Sequence, residues 1–103
     1  MEPPPLSLVV PTHEGSLPWI GRCLEGIAAL EGPPPQVIVV LDGPSPGVSA
    51  LTRRLLPAAR QMPRAEKRGF AVAAGAGLRA AGGRLVALLN DDAVPEPGWL
   101  AAL

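Results

Sequence analysis

Asn90, Asp91 and Asp92 stand in a row at the end of the apolar run Leu85-Val86-Ala87-Leu88-Leu89. Three adjacent oxygen-bearing side chains offer hard ligands for Mg²⁺ or Mn²⁺ and acceptors for sugar hydroxyls. Two other places pair an apolar run with polar residues in the same way. Leu6-Ser7-Leu8-Val9-Val10 leads into Pro11-Thr12-His13-Glu14, and Gln36-Val37-Ile38-Val39-Val40-Leu41 leads into Asp42-Gly43. Brought together, these stretches make a pocket holding the carboxylates of Glu14, Asp42, Asp91 and Asp92 beside the imidazole of His13, with almost no basic counterweight. That composition suits a divalent metal with a polar ligand. Each stretch alone reads as loop chemistry, because Asn and Asp open turns and cap helices, and a lone His often bonds its own loop.

The elements that would position these groups follow from period and punctuation. The run Leu85–Leu89 lies between Gly82-Gly83 and Pro95, which suits a strand buried on both faces of a parallel sheet. Residues 6–10 read as a strand stopped by Pro11. Ser16 suits an N-cap, with Leu17 and Pro18 opening a helix whose apolar face is Ile20, Leu24, Ile27 and Leu30. Gly32-Pro33-Pro34-Pro35 ends it. Residues 36–41 are a second buried strand, followed by the turn-rich loop 42–47. A modest helix over 48–56 carries Leu51 and Leu55, and 60–62 gives a short strand. After the basic connection 63–69, residues 70–81 read as a helix with Phe70, Ala74, Leu78 and Ala81 inward, and Gly75 and Gly77 allow close approach to a sheet. A last helix starts near Pro97, so Trp19 and Trp99 each open a helix and are expected to pack on the sheet. This βαβ alternation predicts a mainly parallel sheet with right-handed crossovers. Parallel strands carry their carboxyl ends on one edge, so the three polar loops converge there.

Length and composition narrow the class. The chain has 103 residues, enough for one domain, and 48% of them are apolar, which argues for a folded core. Net charge is zero, so nothing in bulk charge points to nucleic acid. Charge is nevertheless segregated: residues 53–84 hold every basic group but Arg22, against the single acid Glu66. The lone Cys23 forms no internal disulfide and reads as a small core residue. No apolar run reaches the roughly 18 residues that span a bilayer. Residues 1–5 form a proline-rich arm without the features of a signal peptide, and the expected location is cytoplasmic.

With these residues in view, the chain resembles the family 2 glycosyltransferases. Four segments carry the likeness in the family's order: LSLVVPTHE, VIVVLDGPS, KRGFAVAAGAGLRAAGG, and RLVALLNDDAV followed by PGWL. Together they span residues 6–103, most like the rhamnosyltransferase-containing branch. The resemblance implies a three-layer αβα, Rossmann-like domain of the GT-A type over residues 1–103, with strand order 3-2-1-4. It implies binding of a UDP- or dTDP-linked sugar donor, with Mg²⁺ or Mn²⁺ neutralising the diphosphate leaving group. Carried over, Pro11, Thr12, His13 and Glu14 fall in the nucleotide pocket, Asp42 faces the pyrimidine N3–H, and Gly69 precedes the third helix. Asn90-Asp91-Asp92 occupies the Asp-x-Asp position, with Asp92 as metal ligand and Asn90 or Asp91 near the ribose. Leu41, Pro44, Lys67, Ala74 and Gly75 depart from the family's pattern. The likeness stops just past the metal motif, so the acceptor half and the catalytic base are expected to lie outside this chain. The fourth strand's uncovered edge is then expected to favour a homo-oligomer.

Two other readings stay open. Gly75-Ala76-Gly77-Leu78-Arg79-Ala80 fits the G-x-G-x-x-A fingerprint of dinucleotide-binding oxidoreductases, provided a strand ends at Gly75. A donor-binding module without catalysis, acting in assembly, shares the fold of the transferase reading.

Overall fold

The computed structural model describes residues 6–102; the proline arm and Leu103 lie outside the described residues. Four strands, β1 (Leu6–Thr12), β2 (Gln36–Leu41), β3 (Arg60–Pro63) and β4 (Leu85–Leu88), form one parallel sheet in the order β3-β2-β1-β4. Helices α1 (Leu17–Ala28) and α2 (Pro46–Leu55) cover one face, and α3 (Phe70–Ala80) covers the other. Short 3₁₀ turns occupy Glu14–Ser16 and Trp99–Ala102, the latter in place of the expected last helix. This is the expected α/β, three-layer architecture and strand order. Among the described residues no helix is long and apolar enough to cross a membrane.

The larger core lies between the sheet and α1. Ile20, Cys23, Leu24 and Ile27 recur at helical spacing and meet Leu6, Leu8 and Val10 of β1 and Val39 and Leu41 of β2. Ser16 stands at the N-cap of α1, yet its hydroxyl makes no capping bond and is buried without a partner among the described residues. On the other face α3 lies close to the sheet, and its inward residues are Ala73, Ala74, Ala76 and Gly77. A Cβ on Gly77 would overlap the Val9 side chain and come within 2.9 Å of Val40. The small stripe therefore faces the sheet, whereas Phe70 and Leu78, expected inward, are 54% and 44% exposed. Close approach decided the helix's rotation, against side-chain bulk.

β1 continues through Pro11 to Thr12 instead of stopping at the proline. Val9 accepts from the Leu89 N–H, so the odd positions of β1 direct their backbone groups toward β4. The last β1–β4 pair is Val9 with Leu88, so Pro11, two residues further on, has no ladder bond to lose.

The expectation that Leu85–Leu89 is buried on both faces fails. Among the described residues β4 is a sheet edge with β1 as its one neighbour, and Leu85, Val86 and Leu88 are 61%, 42% and 43% exposed. Ala87 and Leu89 alone of the run join the core, under Ala93, Trp99 and Leu100. The apolar run reported a strand, and its position at the edge set its exposure.

A polar clip joins three of the strands at the opposite end from the polar loops. Buried Ser7 donates its hydroxyl to Gln36 Oε1 (2.6 Å) and accepts from the Gly83 N–H (2.8 Å), while the Gly82 N–H also donates to Gln36 Oε1 (2.9 Å). A Cβ on Gly83 would lie 2.6 Å from the Ser7 nitrogen, which excludes any other residue at this crossing.

Candidate functional site

The carboxyl ends of β1, β2 and β4 open onto one cavity of about 380 Å³, lined by Pro11, Thr12, His13, Asp42, Gly69, Asn90, Asp91 and Asp92. The predicted convergence of the three loops is therefore present. β2 and β4 lie two strand spacings apart, about 10 Å, so Asp42 and Asp92 stand toward opposite ends. Lys67, Phe70, Ala73 and Trp19 complete the lining.

Glu14 alone among the sequence-derived candidates lies outside that lining. Its Oε2 accepts from the Gly47 N–H (2.7 Å) and its Oε1 from the Val48 N–H (2.9 Å), in the first turn of α2. Those amides have no partner within their own helix, and Ser45 at the N-cap makes no side-chain capping bond. Glu14 thus caps α2 from outside it and ties the β1–α1 loop to the second helix.

Asp42, at the start of the turn-rich loop after β2, is 6% exposed. Its Oδ1 accepts from the Arg68 N–H (2.7 Å) and its Oδ2 from the Gly69 N–H (3.0 Å). This pair of charge-assisted bonds fixes the basic connection where it enters α3. Gly69 has φ +100°, a conformation that glycine adopts freely, and it is the N-cap of α3. Each Asp42 oxygen keeps a second lone pair.

The three residues of the Asn-Asp-Asp triplet differ sharply. Asp91 is held on both oxygens, by the Thr12 hydroxyl (2.9 Å) and by the Trp19 indole N–H (3.4 Å). Asp92 is exposed, and its carboxylate accepts no hydrogen bond among the described residues. The Asn90 carbonyl accepts from the Ala93 N–H (3.0 Å), closing a turn in place of a helix cap. Beneath them Cys23 Sγ lies 3.8 Å from that carbonyl. Burial, followed by the charges of Asp91 and Asp92, pushes its thiol up to about 12, so Cys23 is an inert core group at neutral pH. His13 uses Nδ1 to accept the Gly15 N–H (3.0 Å). No group of three or more His, Cys, Asp or Glu side chains capable of holding a metal occurs among the described residues.

Sequence reasoning missed Lys67 and Phe70 as cavity residues. Trp19 was expected on the sheet and is 43% exposed at the cavity mouth. Its place in the first turn of α1, beside the end of β1, was the available signal. The dinucleotide fingerprint is set aside by position: Gly75 and Gly77 lie inside α3, with no strand ending at Gly75.

Comparison with known proteins agrees with this architecture. No curated protein matches the chain. Among solved structures, S. aureus TarS superimposes with a TM-score of 0.80 at 21% identity, covering 99% of this chain and 18% of TarS. TarS 1–349 in complex with UDP-GlcNAc gives 0.82 at 22% identity, covering 99% and 30%. The mannosyltransferase PcManGT from Pyrobaculum calidifontis, in complex with GDP-Man and Mn²⁺, gives 0.78 at 28% identity, covering 96% and 30%. The chain therefore spans less than a third of each of these proteins. Residues 7–103 match the family described as Glycosyl transferase family 2. With nearly the whole chain under that one family's pattern, the chain belongs to glycosyl transferase family 2.

Proposed function

We propose that the cavity binds a nucleotide-diphospho-sugar donor, with a uridine or thymidine base toward Asp42 and the diphosphate toward Asp92, for transfer of the sugar. The carrying observation is the difference among the three carboxylates of the cavity. Asp42 and Asp91 are held by protein donors, and Asp92 stands free at the rim. A single free carboxylate suits Mg²⁺ or Mn²⁺ shared with a diphosphate, because phosphate oxygens and water complete the shell. Such an ion would neutralise the charge that develops on the diphosphate as it leaves.

The chain's own residues do the rest. Asp42 presents acceptor lone pairs to the base, on a carboxylate that backbone amides already hold still. Thr12 and Asp91 bridge β1 and β4 at the middle of the cavity, where the ribose would lie. Lys67, the one Lys or Arg among the described residues of the lining, adds a positive charge on the Asp42 side, since its backbone packs against Gly43. None of the described residues is assigned as the base that activates an acceptor. Similar folds whose structures hold UDP-GlcNAc, or GDP-Man with Mn²⁺, lend support by likeness.

The test is thermal unfolding with UDP or dTDP, with and without Mn²⁺. At millimolar nucleotide and a Kd near 10 µM the folded state gains about 2.7 kcal/mol, which corresponds to roughly ten degrees in a domain of this size. Asp92→Ala should abolish the metal-dependent part and leave the unliganded Tm unchanged. Absence of a shift in the parent protein, or a full shift in Asp92→Ala, overturns the reading.

A further inference from the structure

Asp91 and Asp92 are neighbours in sequence with opposite surroundings. The bonds from Thr12 and Trp19 occupy both oxygens of Asp91, one from the end of β1 and one from the first turn of α1. Asp92 receives none among the described residues. Two free adjacent carboxylates would both turn toward a divalent cation, which takes mono- and bidentate carboxylate ligands readily. Such a chelate would fill coordination positions that a diphosphate needs.

Trp19 itself asks for an explanation. It belongs to neither apolar cluster, yet it holds a large ring at the cavity mouth, 43% exposed. Among the described residues its polar contact is the bond its indole N–H donates to Asp91. We propose that Trp19 is a positioning residue that, with Thr12, withholds Asp91 from the cation, so that Asp92 alone holds the metal and the remaining positions stay open to the diphosphate. The inference rests on the donor-site reading. It adds to that reading the residue of α1 that keeps Asp91 and Asp92 in separate roles.

The experiment separates metal binding from donor binding. Mn²⁺ alone is titrated into the parent protein, Trp19→Phe, Thr12→Val and the double variant, with free Mn²⁺ read by electron paramagnetic resonance. UDP affinity at saturating Mn²⁺ is then measured by calorimetry. Released from its donors, Asp91 joins the cation, so Mn²⁺-alone affinity should rise roughly three- to tenfold, the size expected for freeing a carboxylate from one or two hydrogen bonds. UDP affinity should fall by about the same factor. Adding Asp91→Ala to the double variant should return Mn²⁺-alone affinity to the parent value. A role confined to folding would lower both affinities together, and a ring that merely walls the cavity would lower UDP affinity alone. Either result, or unchanged Mn²⁺ binding in the double variant, overturns the assignment. If the parent protein binds no UDP at all, the donor-site reading fails, and the Mn²⁺ titration still decides the role of Trp19.

Discussion

β1 and β4 lie side by side in the same sheet, run in the same direction, and are built from nearly the same residues. LSLVV and LVALL differ little in hydropathy, yet β1 is buried throughout and β4 is mostly exposed. β1 has a strand on each side and helices on both faces. β4 has one strand and, on the α3 side, no cover over Val86 and Leu88. The residues at their carboxyl ends inherit this difference. Thr12 and, from β2, Asp42 are buried and hydrogen-bonded into fixed positions. Asn90 and Asp92 project from the open strand. The cavity therefore has a rigid side built on the core and an adaptable side built on the edge. Rigid acceptors suit recognition of a flat base, and an adaptable carboxylate suits a cation whose shell changes as ligands come and go.

Paired truncations test the comparison most severely. Leu8→Ala in β1 should cost about 2–5 kcal/mol in urea unfolding, as for other fully buried leucines, and Leu88→Ala in β4 should stay within about 0.5 kcal/mol. Similar costs for the two would show that the strands share one environment. Next in size is the contrast between the carboxylates. Asp42→Ala leaves the part-buried N–H groups of Arg68 and Gly69 without a charged acceptor and should cost about 1–3 kcal/mol. Asp92→Ala should be neutral to about 0.5 kcal/mol in the absence of ligand. Equal losses at the two positions would break the distinction between a fixed and a free side.

The smallest effect concerns Cys23, which lies beneath the junction of the two sides. Burial, followed by the charges of Asp91 and Asp92, raises its thiol from the ordinary 9.0 to about 12, so the unfolded chain loses its proton first. The stabilisation is complete below pH 9 and is lost as pH rises from 9 toward 12. By pH 10 the loss is about 1 kcal/mol. Cys23→Ala should remove that part of the pH dependence, and a variant with the same alkaline slope would show that other groups cause it.

Much of the fold could be read in the chain. Short β-branched runs, helical spacing in Ile20, Leu24 and Ile27, and proline and glycine punctuation gave the order of elements within a few residues. The convergence of Thr12, Asp42 and Asn90–Asp92 followed from parallel topology alone. What sequence could not show was which carboxylates were already engaged. Glu14 and Asp42 look alike as loop acids, and only the folded backbone reveals that Glu14 meets the first amides of α2 while Asp42 meets those of Arg68 and Gly69. The rotation of α3 was hidden for a similar reason. Hydrophobic period points bulk inward, but the collision of any Cβ at Gly77 with Val9 requires the small side to face the sheet. The exposure of β4 depends on what surrounds it, which no property of Leu85–Leu89 encodes.

The clip of Ser7, Gln36, Gly82 and Gly83 has a consequence at the far end of the sheet. Strands advance about 3.3 Å per residue, and a register change that keeps side chains on their own faces must move two residues at once. Slipping β4 in this way past β1 would carry Asp91 roughly 6.6 Å from Thr12, beyond any hydrogen bond. The bond from the Gly83 amide to the Ser7 hydroxyl resists that slip, because it forms in this alignment and would be lost in a shifted one. It acts as the zero mark of a ruler: a small polar contact at one end of the sheet calibrates where the acidic side chains stand at the other.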